Sequence, residues 1–242
     1  MKTTFYSKLP AFVVMILLIP GLHSCKKKKN PDPFINTRIA TVDEIGGGYS
    51  LHTQVYYNQD NKVDSMAVSE VASGSVYSGY RKYIYSGNTC TVTDQDHQSY
   101  TVITDGNGLI TKVISDGITT MTYSGNELVQ MDDNSTYGTT TTKYTWSHGN
   151  LSFSGDNTYF FDPKRAGQPG DALRIGDFLV YGKYLIRTNN LPTEIKSTNA
   201  FALRLFSYLY DSQGRISRYT SKYADAASLT VYDSLVYVYT YY

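Results

Sequence analysis

The sequence predicts an all-β fold, an antiparallel meander of serial hairpins that forms a large curled sheet or an open barrel. Three observations lead to this prediction. Tyrosine is frequent, with 24 residues in a chain of 242, and tyrosine and threonine favour the pleated, half-buried surface of a strand. Short alternating stretches are separated by turns rich in Gly, Asn and Asp along most of the chain. Stretches rich in the helix formers Ala, Leu, Glu and Lys are almost missing.

Residues 206–219 represent the repeating unit best. Aromatic residues alternate along its first strand, and a turn follows from Asp211 to Gly214, because Asp bonds its own backbone and Gly accepts a positive φ. The return strand places large side chains three positions apart, at Ile216 and Tyr219. This spacing puts the two on opposite faces of a regular strand, so either a β-bulge separates them or the sheet is apolar on both faces. The same spacing recurs at Val63 and Met66, Ile110 and Val113, and Leu128 and Met131.

The hairpin rhythm breaks after residue 158. Two prolines and two glycines predict a loop at 159–170, and the following stretch, 171–180, predicts one short helix capped by Asp171. The residues expected to face inward from this helix are Leu173, Phe178 and Leu179. We expect the long departure at 162–181 to be the most informative part of the fold.

Residues 1–24 have the pattern of a bacterial lipoprotein signal peptide. A short basic start precedes an interrupted apolar run, which ends at Leu22-His-Ser-Cys25. A leucine three residues before a cysteine, with a serine directly before it, resembles the lipobox, so cleavage before Cys25 and lipidation of that cysteine are expected. Multiple acyl chains on Cys25 would hold the protein firmly on a membrane.

A lysine-rich tether is expected at 25–35, followed by a single all-β repeat domain at 36–242. Four consecutive lysines at 26–29 suit the anionic headgroups next to a lipid anchor. The predicted location is the outer membrane, attached through Cys25, on either the periplasmic or the cell-surface face.

Charge and cysteine content exclude several classes of function. Of the 22 Lys and Arg residues, six lie at positions 2, 8 and 26–29, which leaves 16 against 21 acidic residues. This mildly acidic balance argues against a nucleic-acid partner, which requires a basic surface. Cys90 is the only cysteine besides Cys25, so no intrachain disulfide is expected, and its place in a strand predicts a buried thiol.

No catalytic, metal or cofactor motif stands out. The chain has no Gly-x-Ser-x-Gly elbow, phosphate loop or His-Glu-x-x-His pair. His52, His97 and His148 share no ligand spacing, and the acidic turns at 94–97 and 132–134 lack the regular calcium-loop pattern. We therefore predict no catalytic residue, no bound metal and no cofactor.

Two functions remain open at this point. In the first, the protein is a non-catalytic envelope lipoprotein that binds a glycan or a protein partner through aromatic rings. The candidate binding residues are Trp146, Tyr208, Tyr210 and Phe178. In the second, it is a glycan or peptidoglycan hydrolase with two facing carboxylates, one of raised pKa. The candidate carboxylates are Asp94, Asp96, Asp132, Asp133 and Asp156.

A water-exposed sheet is favoured over an integral membrane barrel. The stretch 139–146 places Thr139, Thr141, Lys143 and Thr145 on one face, whereas a lipid-facing strand needs an unbroken apolar band.

Two family resemblances add to this interpretation. Tyr208-Leu-Tyr-Asp-Ser-Gln-Gly-Arg-Ile216 resembles a YD (RHS-type) repeat. The whole layout is similar to Bacteroidetes lipoproteins of the DUF4595 type: a lipobox, a Lys-rich tether, serial Tyr-x-Tyr hairpins, an Asp-Pro loop, and Asn189-Asn-Leu-Pro-Thr-Glu-Ile195. The resemblance implies a porin-like antiparallel β meander with no assigned activity, so it supplies no catalytic residue.

Overall fold

The computed structural model describes residues 37–136, 138–198 and 202–242. Within them, sixteen antiparallel strands each pair with their neighbours in sequence, and the first strand pairs with the last, so the sheet closes into a barrel. The predicted all-β meander with one short helix is confirmed, and the closure is complete rather than open. The strands are β1 (Ile39–Gly46), β2 (Tyr49–Tyr57), β3 (Val63–Ala72), β4 (Ser75–Ser86), β5 (Thr89–Asp94), β6 (Ser99–Thr104), β7 (Ile110–Ile114), β8 (Ile118–Ser124), β9 (Glu127–Ser135), β10 (Gly138–Ser147), β11 (Asn150–Ser154), β12 (Asn157–Ala166), β13 (Asn190–Ser197), β14 (Ala202–Tyr210), β15 (Ile216–Asp225) and β16 (Val231–Tyr241).

The signal peptide, the lipidated Cys25 and the tether lie outside the described residues and stay predictions. In the described part of the chain, no helix has the length and hydrophobicity of a membrane span.

β-Bulges produce the three-residue spacing of the return strands. Ile216 and Arg218 pair with consecutive residues of β14, so Ser217 is the extra residue. Ile216 and Tyr219 consequently both point into the barrel and are buried, which decides for the bulge and against a sheet that is apolar on both faces. The same skip occurs in the β2–β3, β6–β7, β8–β9 and β10–β11 hairpins, where the extra residues are Asp64, Thr111, Val129 and Ser152.

Four turns share one hydrogen-bond pattern, which explains why Asp and Asn recur at strand ends. Asp211 Oδ1 accepts from the backbone N–H groups of Gln213 and Arg215, each at 2.9 Å. The residue three positions after Asp211 is Gly214, whose φ of 77° is left-handed. The other turns of this kind begin at Asn58, Asp94 and Asp105.

Two glycines of one such turn offer a direct test of this pattern. Gly108 has a φ of 78°, whereas Gly106 lies outside the left-handed region, and neither would bring a Cβ atom into contact with a neighbour. We expect Gly108→Ala to lower the free energy of unfolding by about 1 kcal/mol, because an L residue is strained at positive φ. Gly106→Ala should leave it unchanged or raise it slightly. Urea denaturation measures both, and equal effects would contradict the assignment.

Residues 167–189, which we call the plug, connect β12 to β13. The plug contains the helix α1 (Ile175–Tyr181), which starts later than the predicted 171–180. Asp171 caps the turn that leads into the helix: its Oδ1 accepts from the N–H groups of Leu173 and Arg174, both at 3.1 Å, and its backbone O accepts from Ile175 N at 3.1 Å. The helix ends at Gly182, whose φ is 65° and whose N–H donates to Phe178 O at 2.8 Å.

The predicted loop at 159–170 is wrong for most of its length, because β12 continues to Ala166. Proline is tolerated there because the ladder is irregular. The pairing with β13 skips between Asp162 and Ala166, so Pro163 removes no regular ladder bond.

The plug lies inside the barrel, where wall residues from distant strands hold it. Side chains of β4 and β6 donate hydrogen bonds to plug carbonyls, from Arg81, Tyr83 and Tyr100. On another side, Gln168 of the plug donates to Gly214 O at 3.2 Å and accepts from Ile216 N at 3.1 Å. The plug residues Ile175, Phe178 and Leu185 belong to the same buried cluster as the inward-facing wall residues.

The lumen is filled at one end only. The plug joins the barrel at the end that carries the β2–β3, β4–β5 and β6–β7 turns. Toward the other end, residues that continue the inward face of their strands, such as Tyr77 and Thr140, are exposed. The plugged end is therefore the one at which buried wall residues and loops can form a binding site.

Candidate functional site

A cavity of about 430 Å³ lies at the plugged end, between the plug and the adjoining ends of β1 to β4. We call it the mouth pocket. Its volume falls within the range of roughly 300–1,000 Å³ that is usual for small-molecule sites. The residues that define its chemistry are three cations and three tyrosines: Arg38, Lys62, Lys183, Tyr57, Tyr85 and Tyr184.

Arg38 is held at the edge of the mouth pocket by a turn and two rings. Its Nη1 donates to Asn61 Oδ1 at 3.0 Å. Its guanidinium lies over the rings of Tyr57 and Tyr242, 5.6 and 5.4 Å from their centroids. These contacts are cation–π interactions, which restrict the guanidinium without neutralising its charge.

The two lysines approach the mouth pocket from opposite elements. Lys62 comes from the β2–β3 turn, and its Nζ lies 5.1 Å from the centroid of the Tyr85 ring. Lys183 follows the helix-ending Gly182 and is only partly exposed. Burial, and then the positive charge of Lys62, lower the pKa of Lys183. A smaller cavity of about 190 Å³ shares Lys62, Tyr85 and Lys183.

The three cations have no acidic partner among the residues that the structure describes. The ion pairs within 4.0 Å in that part of the chain are His52–Asp43, Arg174–Asp171 and Arg215–Asp211. Asp105 acts on Lys183 electrostatically, but its Oδ1 is bonded to two N–H groups of its own turn. The mouth pocket therefore carries three cations without an ion pair, in a protein body that is mildly acidic.

The tyrosines of the mouth pocket remain neutral phenols. Burial raises the pKa of Tyr57, Tyr85 and Tyr184 above the usual value. Tyr57 donates to Ile39 O at 3.1 Å, and Tyr184 stacks on Phe178 with ring centroids 5.5 Å apart. The Tyr184 hydroxyl has no hydrogen-bond partner among the described residues, so it is free to donate to a ligand.

Of the four aromatic residues predicted to bind a partner, Phe178 lines the mouth pocket. The other three do not line it. Trp146 Nε1 donates to Leu128 O at 2.7 Å, and the Tyr208 hydroxyl donates to Pro192 O at 2.8 Å, so both have partners inside the wall. Arg165 lies over the ring of Tyr210, 4.4 Å from its centroid.

The carboxylates considered for a hydrolase are not brought together as a facing pair in the described structure. Asp94 is bonded to the backbone of its own turn, and Asp96 is exposed on that turn. Asp132 and Asp133 are adjacent on β9 and so point to opposite faces, where Asp132 accepts from Thr141 and Asp133 from Thr119. The hydrogen bonds from Thr141 and Gln130 lower the pKa of Asp132. Asp156 is exposed on the turn between β11 and β12.

Asp177 is the carboxyl group whose pKa is raised most clearly, and its side chain stabilises the plug. Burial raises the pKa of Asp177 to about 6. Its Oδ2 accepts from Leu185 N at 3.1 Å, which holds the segment after α1 against the helix. Asp177 does not line the mouth pocket. No group of three or more His, Cys, Asp or Glu side chains with metal-binding geometry occurs among the described residues.

No sequence pattern indicated the three cations of the mouth pocket. Arg38 precedes the first strand, Lys62 ends a polar turn and Lys183 follows the helix, and each pattern is equally typical of a solvated surface charge. Only the closure of the barrel and the return of the plug bring them to one cavity.

No protein-family model matches the chain, and no curated protein matches it. Among solved structures, a porin-like protein from Bacteroides uniformis ATCC 8492 is similar with a TM-score of 0.66 and 13% identity, over 84% of this chain and 96% of that one. A porin-like protein from Bacteroides vulgatus ATCC 8482 aligns over 85% of this chain and 99% of that one, with 10% identity and a TM-score of 0.34. The first likeness shows a shared fold, and the second carries no argument.

Proposed function

We propose that this chain is a non-catalytic, lipid-anchored protein of the cell envelope that binds a small ligand, such as a glycan end, in the mouth pocket. The observation that carries the proposal is the plug. It occupies the lumen through bonds to distant parts of the wall, and it leaves a cavity at the mouth. A barrel built in this way is suited to hold a solute and not to pass one.

The outer wall also supports a binding role in an aqueous setting. His52 Nδ1 and Asp43 Oδ1 lie 2.6 Å apart on the outer face of β1 and β2, and their side chains are 48% and 40% exposed. Lys82 and Lys143 are exposed on the outer faces of β4 and β10. A wall in contact with lipid tails would instead be apolar.

The envelope location rests on the predicted lipobox and on the porin-like Bacteroides neighbour. The anchor at Cys25 is part of the proposal. Membership of the DUF4595-type lipoproteins, or kinship with YD repeats, stays a prediction from sequence pattern and would add no activity.

A pocket-filling variant of the full chain tests the proposal. Thr37 lines the mouth pocket, so Thr37→Trp should abolish the binding of whichever sugar is found in a panel of neutral and acidic mono- and disaccharides by saturation-transfer NMR. Thr122→Trp, on the exposed outer face of β8, is the matched control and should bind as the wild type does. Liposomes carrying the lipidated protein should show no solute flux above protein-free liposomes.

Two outcomes would overturn the proposal. Hydrolysis of any sugar of the panel would establish an enzyme. Solute flux through the wild-type protein would mean that the plug leaves a path.

A further inference from the structure

We infer that the mouth pocket selects a ligand that bears an oxyanion, a carboxylate or a phosphate, which Arg38, Lys62 and Lys183 bind together. This inference rests on the proposed binding function and adds the chemical class of the ligand.

The first argument is charge. Three cations line one cavity, and the described residues provide no acidic side chain within ion-pair distance of any of them. A cleft lined by one sign of charge concentrates ligands of the opposite sign. The body of the protein has more acidic than basic residues, so the three cations at the mouth run against its overall charge balance.

The second argument is preorganisation. The Arg38 guanidinium is fixed by Asn61 and two rings, and the Lys62 ammonium is placed on the Tyr85 ring. Each of these contacts orders a long side chain without neutralising its charge, so a ligand does not have to order it. The planar fork of arginine suits the two oxygens of a carboxylate or phosphate, and the free Tyr184 hydroxyl can add a neutral donor.

The third argument is the position of Lys183. It is half-buried beside Lys62, and burial and this like charge both disfavour its protonated form. An oxyanion bound near the two ammonium groups offsets both effects, because its negative charge favours the protonated form. The plug therefore presents a cation whose unfavourable setting a bound anion relieves.

Calorimetric titration of the full chain with galacturonate, galactose and inorganic phosphate tests the inference. Binding of galacturonate or phosphate, and not of galactose, is expected. Lys62→Gln and Lys183→Gln should each weaken that binding by about 10-fold. Lys82→Gln, which removes an exposed lysine of the outer wall, is the matched control and should leave it unchanged. Tighter binding of galacturonate than of phosphate identifies a sugar acid, and the reverse order identifies a phosphate.

A second measurement does not depend on how the variants fold. The pKa of Lys183, followed by NMR of labelled lysine in the wild-type protein, should rise when phosphate or galacturonate is added. Galactose bound as tightly as galacturonate would overturn the inference while supporting the proposed function. No binding of either anion would also overturn the inference, and the wider sugar panel then decides the proposed function separately.

Discussion

Replacing Asp171 by alanine is expected to lower the free energy of unfolding by about 3–5 kcal/mol, because it leaves a buried charge unpaired. The Asp171 side chain is fully buried, and its Oδ2 lies 3.3 Å from Arg174 Nε, whose side chain is 9% exposed. The carboxylate also accepts from the N–H groups of Gln168, Leu173 and Arg174 at 3.1 to 3.2 Å. The variant would leave these donors without an acceptor, and the guanidinium would keep only the bond from its Nη2 to Thr188 O, at 2.7 Å.

The Asp211–Arg215 pair is the matched control. Its Oδ2–Nε distance of 2.7 Å is shorter than that of the plug pair, but its side chains are 21% and 23% exposed. Water can replace the lost partner, so Asp211→Ala should lower the free energy of unfolding by about 1 kcal/mol. Urea denaturation of both variants measures the difference. A larger loss for Asp211→Ala would contradict the role of burial, and the two turn bonds that this variant also removes, from Gln213 N and Arg215 N, would then outweigh it.

A double variant separates the contribution of the Asp171–Arg174 ion pair from that of its surroundings. Asp171→Leu combined with Arg174→Leu removes the two charges together, and it should be less damaging than Asp171→Ala alone. The three backbone donors still lose their acceptor, so some loss should remain.

The sequence allowed the strand and turn pattern to be predicted because each hairpin is a local structure. Asp211 and Gly214 determine their turn through bonds within five residues, and the same rule holds at Asp105. The sequence could not decide between a β-bulge and a sheet that is apolar on both faces. A spacing of three, as between Ile216 and Tyr219, fits both arrangements. Barrel closure depends on the pairing of β1 with β16, nearly 200 residues apart, and nothing local distinguishes these strands from their neighbours.

The site could not be predicted for a related reason. The hairpin pattern of the sequence does not indicate what fills the barrel, and the plug sequence looks like an irregular connection between two strands. The prolines and glycines of 159–170 predicted a loop from residue 159, although β12 continues through Pro163 to Ala166. The mouth pocket joins Arg38 and Lys62 to Lys183, which lies more than 100 residues further along the chain. Phe178 lines the mouth pocket because it belongs to the helix, and its role in binding stays a prediction. The cations were missed because they do not belong to any repeated pattern.

Deleting the plug is expected to remove most of the stability of the barrel. Ala166 and Asn190 pair directly across β12 and β13, so a two-residue Asn-Gly turn can replace 167–189 without stretching the strands. The deletion exposes the wall that now packs on Ile175, Phe178 and Leu185, all buried in the core cluster. At about 1.5–3 kcal/mol for each side chain, the loss is roughly 5–9 kcal/mol, comparable with the whole stability of a typical domain.

Calorimetry and the binding of the dye ANS, which reports exposed apolar surface, measure this loss. Replacing residues 226–229, a turn between β15 and β16 that is exposed from Ala227 to Leu229, by Asn-Gly is the control and should change the free energy of unfolding by no more than about 1 kcal/mol. A plug-deleted barrel that unfolds at the wild-type temperature without binding ANS would mean that the wall closes on its own. The plug would then serve the mouth pocket alone, since it contributes Lys183 and Tyr184, and the core and the site would be separable parts of the fold.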